Sequence, residues 1–425
     1  MLYTYYGDDF TGSTDVLETL AHAGLPAVLF LVPPTTEDLA QFPDIQALGI
    51  AGDSRSRSPE WMTANLPNLF AKLKGFGAPI THYKTCSTFD SAPHIGNIGR
   101  AIELGMATFQ PRFVPIVVGA PHLGRFVFFG TLFAAAGDSV YRIDRHPTMS
   151  YHPVTPMLEA DLRRHLAHQT QLPIALLDER HLNPRALASL LEPSSGGVLP
   201  AGILFDTFDA TSLARTGELI WHHAQESPLF AAGSSGLTEA LICAWRASNL
   251  TPASATLPVA SPVEQILILS GSCSPVTQRQ IEYALANGFH GIRLDPASLI
   301  VNPIAPVADA VASIRQGRSP ILYTALGPLS PATPPHAADL GAALGNALRE
   351  IVMQSGIRRT LLCGGDTSSH AVQQLPIRAL ACVAPLAPGA PLCRAHAPGT
   401  LFHHHELILK GGQIGPVDFF HIARG

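Results

Sequence analysis

Two adjacent carboxylates stand close to the amino terminus, in Gly7-Asp8-Asp9-Phe10-Thr11-Gly12-Ser13-Thr14-Asp15. At the end of a strand such a pair can accept hydrogen bonds from ligand hydroxyls, and Asp8 or Asp9 can take the proton of a hydroxyl as it attacks. The same residues would also cap a helix while the glycines shape the turn, although Asp-Asp followed by Gly-Ser-Thr-Asp exceeds what a cap requires. Next comes Gly52-Asp53-Ser54-Arg55-Ser56-Arg57-Ser58, where the planar fork of Arg55 suits a carboxylate; the competing reading is an arginine solvated in a polar loop. A third loop, His82-Tyr83-Lys84-Thr85-Cys86-Ser87-Thr88-Phe89-Asp90-Ser91, offers Lys84 as counter-charge to an anion, with Thr85, Cys86 and Ser87 beside it. It leads into Gly96-Asn97-Ile98-Gly99, which opens a helix whose amide end attracts anions.

The second half carries a different set. Ser270-Gly271-Ser272-Cys273-Ser274-Pro275 and Cys363-Gly364-Gly365-Asp366-Thr367-Ser368-Ser369 each join an apolar run to a helical one. Small residues there let backbone amides and hydroxyls approach a nucleotide, with Asp366 as a carboxylate near magnesium. Ordinary helix capping would use the same residues. Neither stretch has the GxxxxGK[ST] spacing, so a phosphate cradle here is not of Walker type. Two glycine-bearing segments, one holding Gly389 and the other Lys410-Gly411-Gly412, frame a final strand expected over Leu401 to Leu409. His403-His404-His405 lies on that strand, where alternate side chains point to opposite faces. Only His403 and His405 would share a face, and with no third ligand at a recognisable spacing no metal site is expected.

These loops need a frame. Apolar runs at Leu2–Tyr6, Pro26–Leu31, Ile45–Ala51, Ile80–Tyr83, Phe113–Val118, Ile174–Leu177 and Gly202–Phe205 read as strands, with helical spacing at Ser13–Ala23 and Glu60–Leu73. The alternation restarts with strands at Ile266–Leu269, Gly291–Leu294, Ile321–Thr324 and Thr360–Cys363, and helices at Pro275–Asn287 and Ala337–Ser355. This predicts an α/β fold of two α/β domains with mainly parallel sheets, whose functional loops follow the strands. The expected division is 1–248, a linker over 249–262 rich in Thr, Pro, Ala and Ser, and 263–425.

Of the 425 residues, 46% are hydrophobic and 14% charged, with a net charge of -5, which suits a globular enzyme and offers no basic stripe for nucleic acid. The six cysteines form no CxxC pair, so neither a zinc ribbon nor a disulfide framework is indicated. No apolar run reaches the roughly 20 residues of a membrane span, and no secretory signal is apparent. The chain reads as cytoplasmic, without a membrane partner. No strand is followed by GxGxxG, which weakens an oxidoreductase reading. A two-domain sensor that binds a sugar acid or nucleotide without turnover is the alternative to an enzyme.

Taken together, Gly-Asp-Asp-Phe-Thr-Gly-Ser-Thr-Asp, Lys-Thr-Cys-Ser-Thr-Phe-Asp-Ser, His152-Pro-Val-Thr-Pro-Met157, Gly233-Ser-Ser-Gly-Leu237, Gly-Ser-Cys-Ser, Gly-Gly-Asp-Thr-Ser and Lys-Gly-Gly-Gln-Ile-Gly resemble, in order and spacing, the four-carbon acid sugar kinase family. The resemblance implies a sugar-acid domain and a nucleotide domain with the active site in the interdomain cleft, and transfer from ATP, with Mg2+, to a terminal hydroxyl. It assigns the Asp8-Asp9 loop, Arg55 and Lys84 to substrate without settling which residue is the base; Asp9 and Asp8 are the catalytic candidates, and Thr85, Cys86 and Ser87 are expected to line the substrate beside Lys84. Ser272, Ser274, Gly364, Gly365, Asp366, Thr367, Gly389 and Gly412 fall to ATP. A homodimer is left open. Gly119–Gly130 and Arg145–His152 depart from the tetronate kinase pattern. That bears on the substrate, with 3-oxo-isoapionate as competitor to the tetronates.

Overall fold

The computed structural model describes residues 1–152, 154–192, 198–252, 255–302, 304–327 and 337–425, with the side chains of 304, 337 and 366 outside that description. The chain forms two compact units. The first comprises Met1–Asp8, Thr19–Pro26 and Asp44–Ala255; the second comprises Asp9–Glu18, Ala27–Pro43 and Thr256–Gly425. Two segments from within the expected 1–248 range, Asp9–Glu18 and Ala27–Pro43, therefore pack with the later part of the chain. Of the expected linker, residues 253 and 254 lie outside the described residues.

In the first unit seven parallel strands lie side by side in the order Ala47–Ala51, Tyr3–Gly7, Ile80–Lys84, Leu229–Gly233, Val114–Val117, Gly202–Phe205, Ile174–Leu177. Most are buried along their whole length, as helices on both faces of a parallel sheet require. The tyrosine-rich first strand fits because glycines stand opposite its rings. A Cβ on Gly49 would lie 2.1 Å from the Tyr5 ring, and one on Gly52 would lie 2.0 Å from the Tyr6 hydroxyl. Such distances leave no room for any other residue. Leu229–Gly233 was not expected, nor was the antiparallel set Arg125–Phe128, Thr131–Ala136 and Ser139–Arg142. The turn between the first two of these is Phe129-Gly130, both with positive φ (49° and 74°), as the tightest hairpins demand.

The second unit carries five parallel strands, His290–Arg293, Pro320–Tyr323, Leu267–Ser270, Arg359–Cys363 and Glu406–Lys410. They continue into antiparallel Ala390–His396, Ala379–Ala387 and Ala27–Phe30. Its core gathers Ile266, Ile268, Ile321, Leu361, Ile408, Phe419 and Phe420. Gly389 is the φ +79° tip of the Ala379–Ala387/Ala390–His396 hairpin. One expectation is corrected here: the last strand begins at Glu406 rather than Leu401. His403 and His404 consequently sit in a turn, where the alternation argument does not apply. His405 is buried with Nε2 2.9 Å from Thr360 Oγ1.

Candidate active site

Register brings five strand ends of the first unit to one edge. Gly7 stands beside Ala51 and Lys84, and Gly233 beside Lys84 and Val117. The loops that follow are therefore neighbours, in the position where parallel sheets hold ligands. Asp8 stitches two of them through its backbone. Its N–H donates to the Lys84 carbonyl at 2.9 Å, and its carbonyl accepts from the Arg55 N–H at 3.1 Å. The side chains of Asp8 and Lys84 are both buried at this edge.

Arg55 does not stand alone. Its Nη2 donates to both oxygens of Asp90, at 2.7 and 2.8 Å. Asp90 also accepts from the hydroxyls of Thr88 and, at 2.8 Å, Thr155. Burial by itself would raise the Asp90 pKa; the charge and hydrogen bond of Arg55, with the Thr88 hydroxyl, hold the carboxyl well below the usual range. Between Thr88 and Asp90 lies Phe89 at φ 54°, uncommon for a bulky residue and a sign of a loop held by its surroundings. Thr85 donates through its N–H to the Gly233 carbonyl at 2.6 Å, and Cys86 Sγ lies 3.0 Å from Thr88 Oγ1. Cys86 and Ser87 are half-buried, at the rim of this loop.

Beneath the loop, Tyr83 stacks on Tyr6 at 6.0 Å and bonds Ser54 Oγ at 2.9 Å. Burial raises the pKa of both phenols and keeps them neutral. The amide end of the helix Ile98–Phe109 is already occupied: Asn97 Oδ1 accepts from Arg100 N–H at 2.6 Å, and Gln169 Oε1 from Gly99 N–H at 3.3 Å. The anion reading of Gly-Asn-Ile-Gly is replaced by a capping one. In Gly233-Ser-Ser-Gly-Leu237 the glycines serve packing, since a Cβ on Gly236 would lie 1.9 Å from the Gly119 carbonyl oxygen. Within His152–Met157, Pro153 lies outside the described residues.

In the second unit Ser270 stands beside Cys363, and Cys363 beside Lys410, so three glycine-bearing loops leave one edge. Leu392 pairs with Ile408, which carries the Gly389 tip toward the same edge. The Gly389 N–H is taken by Glu18 Oε2 at 2.8 Å. A Cβ on Gly412 would stand 2.8 Å from Ser272 Oγ, and Gly364 has φ +113°, a conformation that favours glycine. Ser272 Oγ accepts from Ser274 N–H at 3.2 Å, and Ser274 Oγ from Val276 N–H at 3.1 Å, so both hydroxyls shape the turn into Pro275–Ala286. The helix Gly365–Val372 starts at Gly364 with no side-chain cap, and Thr367 is buried against Gly271. For Asp366 the side chain lies outside the description. Asp9 opens the helix Phe10–His22, its Oδ1 accepting from Gly12 N–H at 2.8 Å.

Asp90 and Thr155 lie in stretches singled out from the sequence but were given no role of their own there, and Thr277 and Gln280 sit in the helix Pro275–Ala286, where nothing in the local sequence separates them from ordinary helix positions. Among the described residues no helix is long and apolar enough to cross a membrane, and no group of three or more His, Cys, Asp or Glu could hold a metal ion.

Known proteins match along the whole chain. The model of a sugar-binding N-terminal domain covers residues 3–241, and that of a nucleotide-binding C-terminal domain covers residues 267–420. A 3-oxo-isoapionate kinase of Paraburkholderia graminis is 44% identical, over 100% of this chain and 94% of its own. A 3-oxo-tetronate kinase of Pectobacterium atrosepticum is 31% identical, over 97% and 96%. The crystal structure of a Haemophilus influenzae protein from a family of unknown function superposes with a TM-score of 0.71 at 25% identity, over 99% of each chain.

Proposed function

The chain belongs to the four-carbon acid sugar kinase family, and from that premise we propose that its substrate is a keto acid of the 3-oxo-isoapionate type. It is an ATP-dependent kinase of small acid sugars, a phosphotransferase with an alcohol group as acceptor. The observation that carries the finer substrate is the 44% identity with the 3-oxo-isoapionate kinase, against 31% with the tetronate relative. The Gly119–Gly130 and Arg145–His152 departures from the tetronate pattern agree with it.

The proposed roles follow from charge and position. Lys84 and Arg55 balance the carboxylate of the acid, while Thr85, Cys86 and Ser87 meet its hydroxyls and oxo group. Asp8 and Asp9 orient the acceptor hydroxyl, and Asp9 takes its proton. Phosphoryl transfer depends mainly on such positioning and on charge stabilisation. ATP supplies the transferred phosphoryl group, and the second unit offers room for it: Gly364 and Gly412 leave space that a Cβ would fill, and the N-cap of the helix beginning at Gly365 is a glycine, which brings no side chain of its own to the amide end. Ser272, Ser274, Gly364, Gly365, Thr367, Gly389 and Gly412 are proposed to line it. Mg2+ is proposed to accompany ATP, held largely by phosphate and water oxygens, with Asp366 as the protein carboxylate.

The test is ADP release with ATP and 3-oxo-isoapionate, compared with 3-oxo-tetronate, D-threonate and D-erythronate. A higher kcat/KM for 3-oxo-isoapionate is expected. A tetronate preferred over it overturns the substrate assignment and leaves the family intact.

A further inference from the structure

The ion pair beneath the substrate loops is asymmetric. Asp90 is wholly enclosed, whereas the Arg55 side chain keeps 21% of its surface exposed. Both carboxylate oxygens take the same nitrogen of Arg55, Nη2, and each oxygen also accepts a threonine hydroxyl, Thr88 on one and Thr155 on the other. A guanidinium has donors on three nitrogens in one plane, so gripping one of them fixes the direction in which the others point. The backbone is held as firmly. Arg55 N–H donates to the Asp8 carbonyl at 3.1 Å, and a Cβ on Gly96 would lie 2.6 Å from the Arg55 carbonyl oxygen. On the other side, the strained φ of Phe89 turns the chain between Thr88 and Asp90, and Phe89 itself is fully buried.

We propose that Asp90 is a positioning residue, which aims the Arg55 guanidinium at the carboxylate of the acid sugar and is itself oriented by Thr88 and Thr155. This rests on the assignment of Arg55 to substrate made above. The loop bearing Thr155 follows the Arg145–His152 stretch in which this chain departs from the tetronate pattern, and Thr155 N–H donates to His152 Nδ1 at 3.1 Å. A change in that loop thereby reaches the substrate cation through a single carboxylate. A merely structural ion pair would tie the same loops together without any bearing on the affinity for the acid.

The experiment is a double-mutant cycle on the full chain, with kcat, the KM for 3-oxo-isoapionate, the KM for ATP and the thermal midpoint read for each variant. Arg55→Met should raise the acid-sugar KM by about 100-fold and Asp90→Asn by about 10-fold, each with the ATP KM unchanged. In the Arg55→Met background, Asp90→Asn should add less than about 2-fold. Additive effects overturn the proposal, as does an Asp90→Asn variant that loses thermal stability while the acid-sugar KM stays put. If Arg55→Met raises that KM and Asp90→Asn does not, the positioning role fails alone; if Arg55→Met changes nothing, the substrate assignment of Arg55 fails with it. Should Asp90→Asn not fold, Thr155→Val carries the test. It should raise the acid-sugar KM by about 3-fold, an effect absorbed in the Arg55→Met background, and an unchanged KM overturns the proposal.

Discussion

Lys410 Nζ donates to Thr277 Oγ1 at 3.1 Å, and that hydroxyl donates in turn to the Gly412 carbonyl at 2.9 Å. The ammonium also reaches the Gly411 carbonyl at 3.0 Å. Burial lowers the Lys410 pKa, partly opposed by the neighbouring Cys363. Two residues after the strand, the glycine loop is thus bolted to the helix Pro275–Ala286, and Gln280 Nε2 extends the attachment to the carbonyls of Ile414, Gly415 and Pro416.

Thr277→Val removes the middle of that relay while keeping the side-chain volume. The ATP KM should rise by about 3- to 10-fold, the size expected for one lost hydrogen bond with its partner left buried, and the acid-sugar KM should not move. Steady-state kinetics with each substrate varied in turn distinguishes this from general damage, which would shift both.

Gly364→Ala places a side chain on a backbone with φ +113°, and Gly412→Ala sets a Cβ 2.8 Å from Ser272 Oγ. Both should weaken nucleotide binding by at least about 10-fold, through strain of roughly 1–3 kcal/mol for the first and displacement of the Ser272 loop for the second. Calorimetric titration with ATP measures the loss. Undiminished affinity in both variants would remove the nucleotide from this edge.

Asp9→Asn should lower kcat by about 100-fold or more while ATP binding stays nearly intact. The amide oxygen of asparagine can still accept from Gly12 N–H, so the helix start survives and the effect reads on chemistry. An unchanged kcat refutes the role of Asp9 as proton acceptor.

Acid should destabilise the protein through its buried histidines. Burial pushes His82 down from 6.5 to about 3 and His165 and His405 down to about 4, so all three stay neutral in the fold while the unfolded chain takes up protons below 6.5. Their contribution is complete above pH 6.5 and is lost as pH falls toward 4 and 3, with a limiting slope of about 1.4 kcal/mol per pH unit for each. Thermal midpoints between pH 7 and 4.5 should fall accordingly, and His405→Gln should flatten the slope. A parallel pH profile in that variant contradicts the assignment.

The alternation of short apolar runs with helical stretches, and the polar or glycine-bearing loops at 7–9, 52–58, 84–91, 271–275, 363–369 and 410–412, were legible in the residues themselves. Their signals are local: hydrophobic period, turn chemistry and small residues at strand ends. The hairpin ending at His396 was hidden by its run of alanines and prolines, and the late start of the last strand, at Glu406, by the apolar pair Leu401-Phe402, which lies in a turn. Only the tertiary structure set Asp90 on Arg55, 35 positions away, and Thr155 on Asp90, 65 positions away. It alone placed Thr277 under Gly412 and packed Asp9–Glu18 and Ala27–Pro43 with the second unit. Such pairings are decided by strand register and by the closing of the core around particular side chains, and residue types at a fixed spacing along the chain do not encode which distant partner that closure delivers.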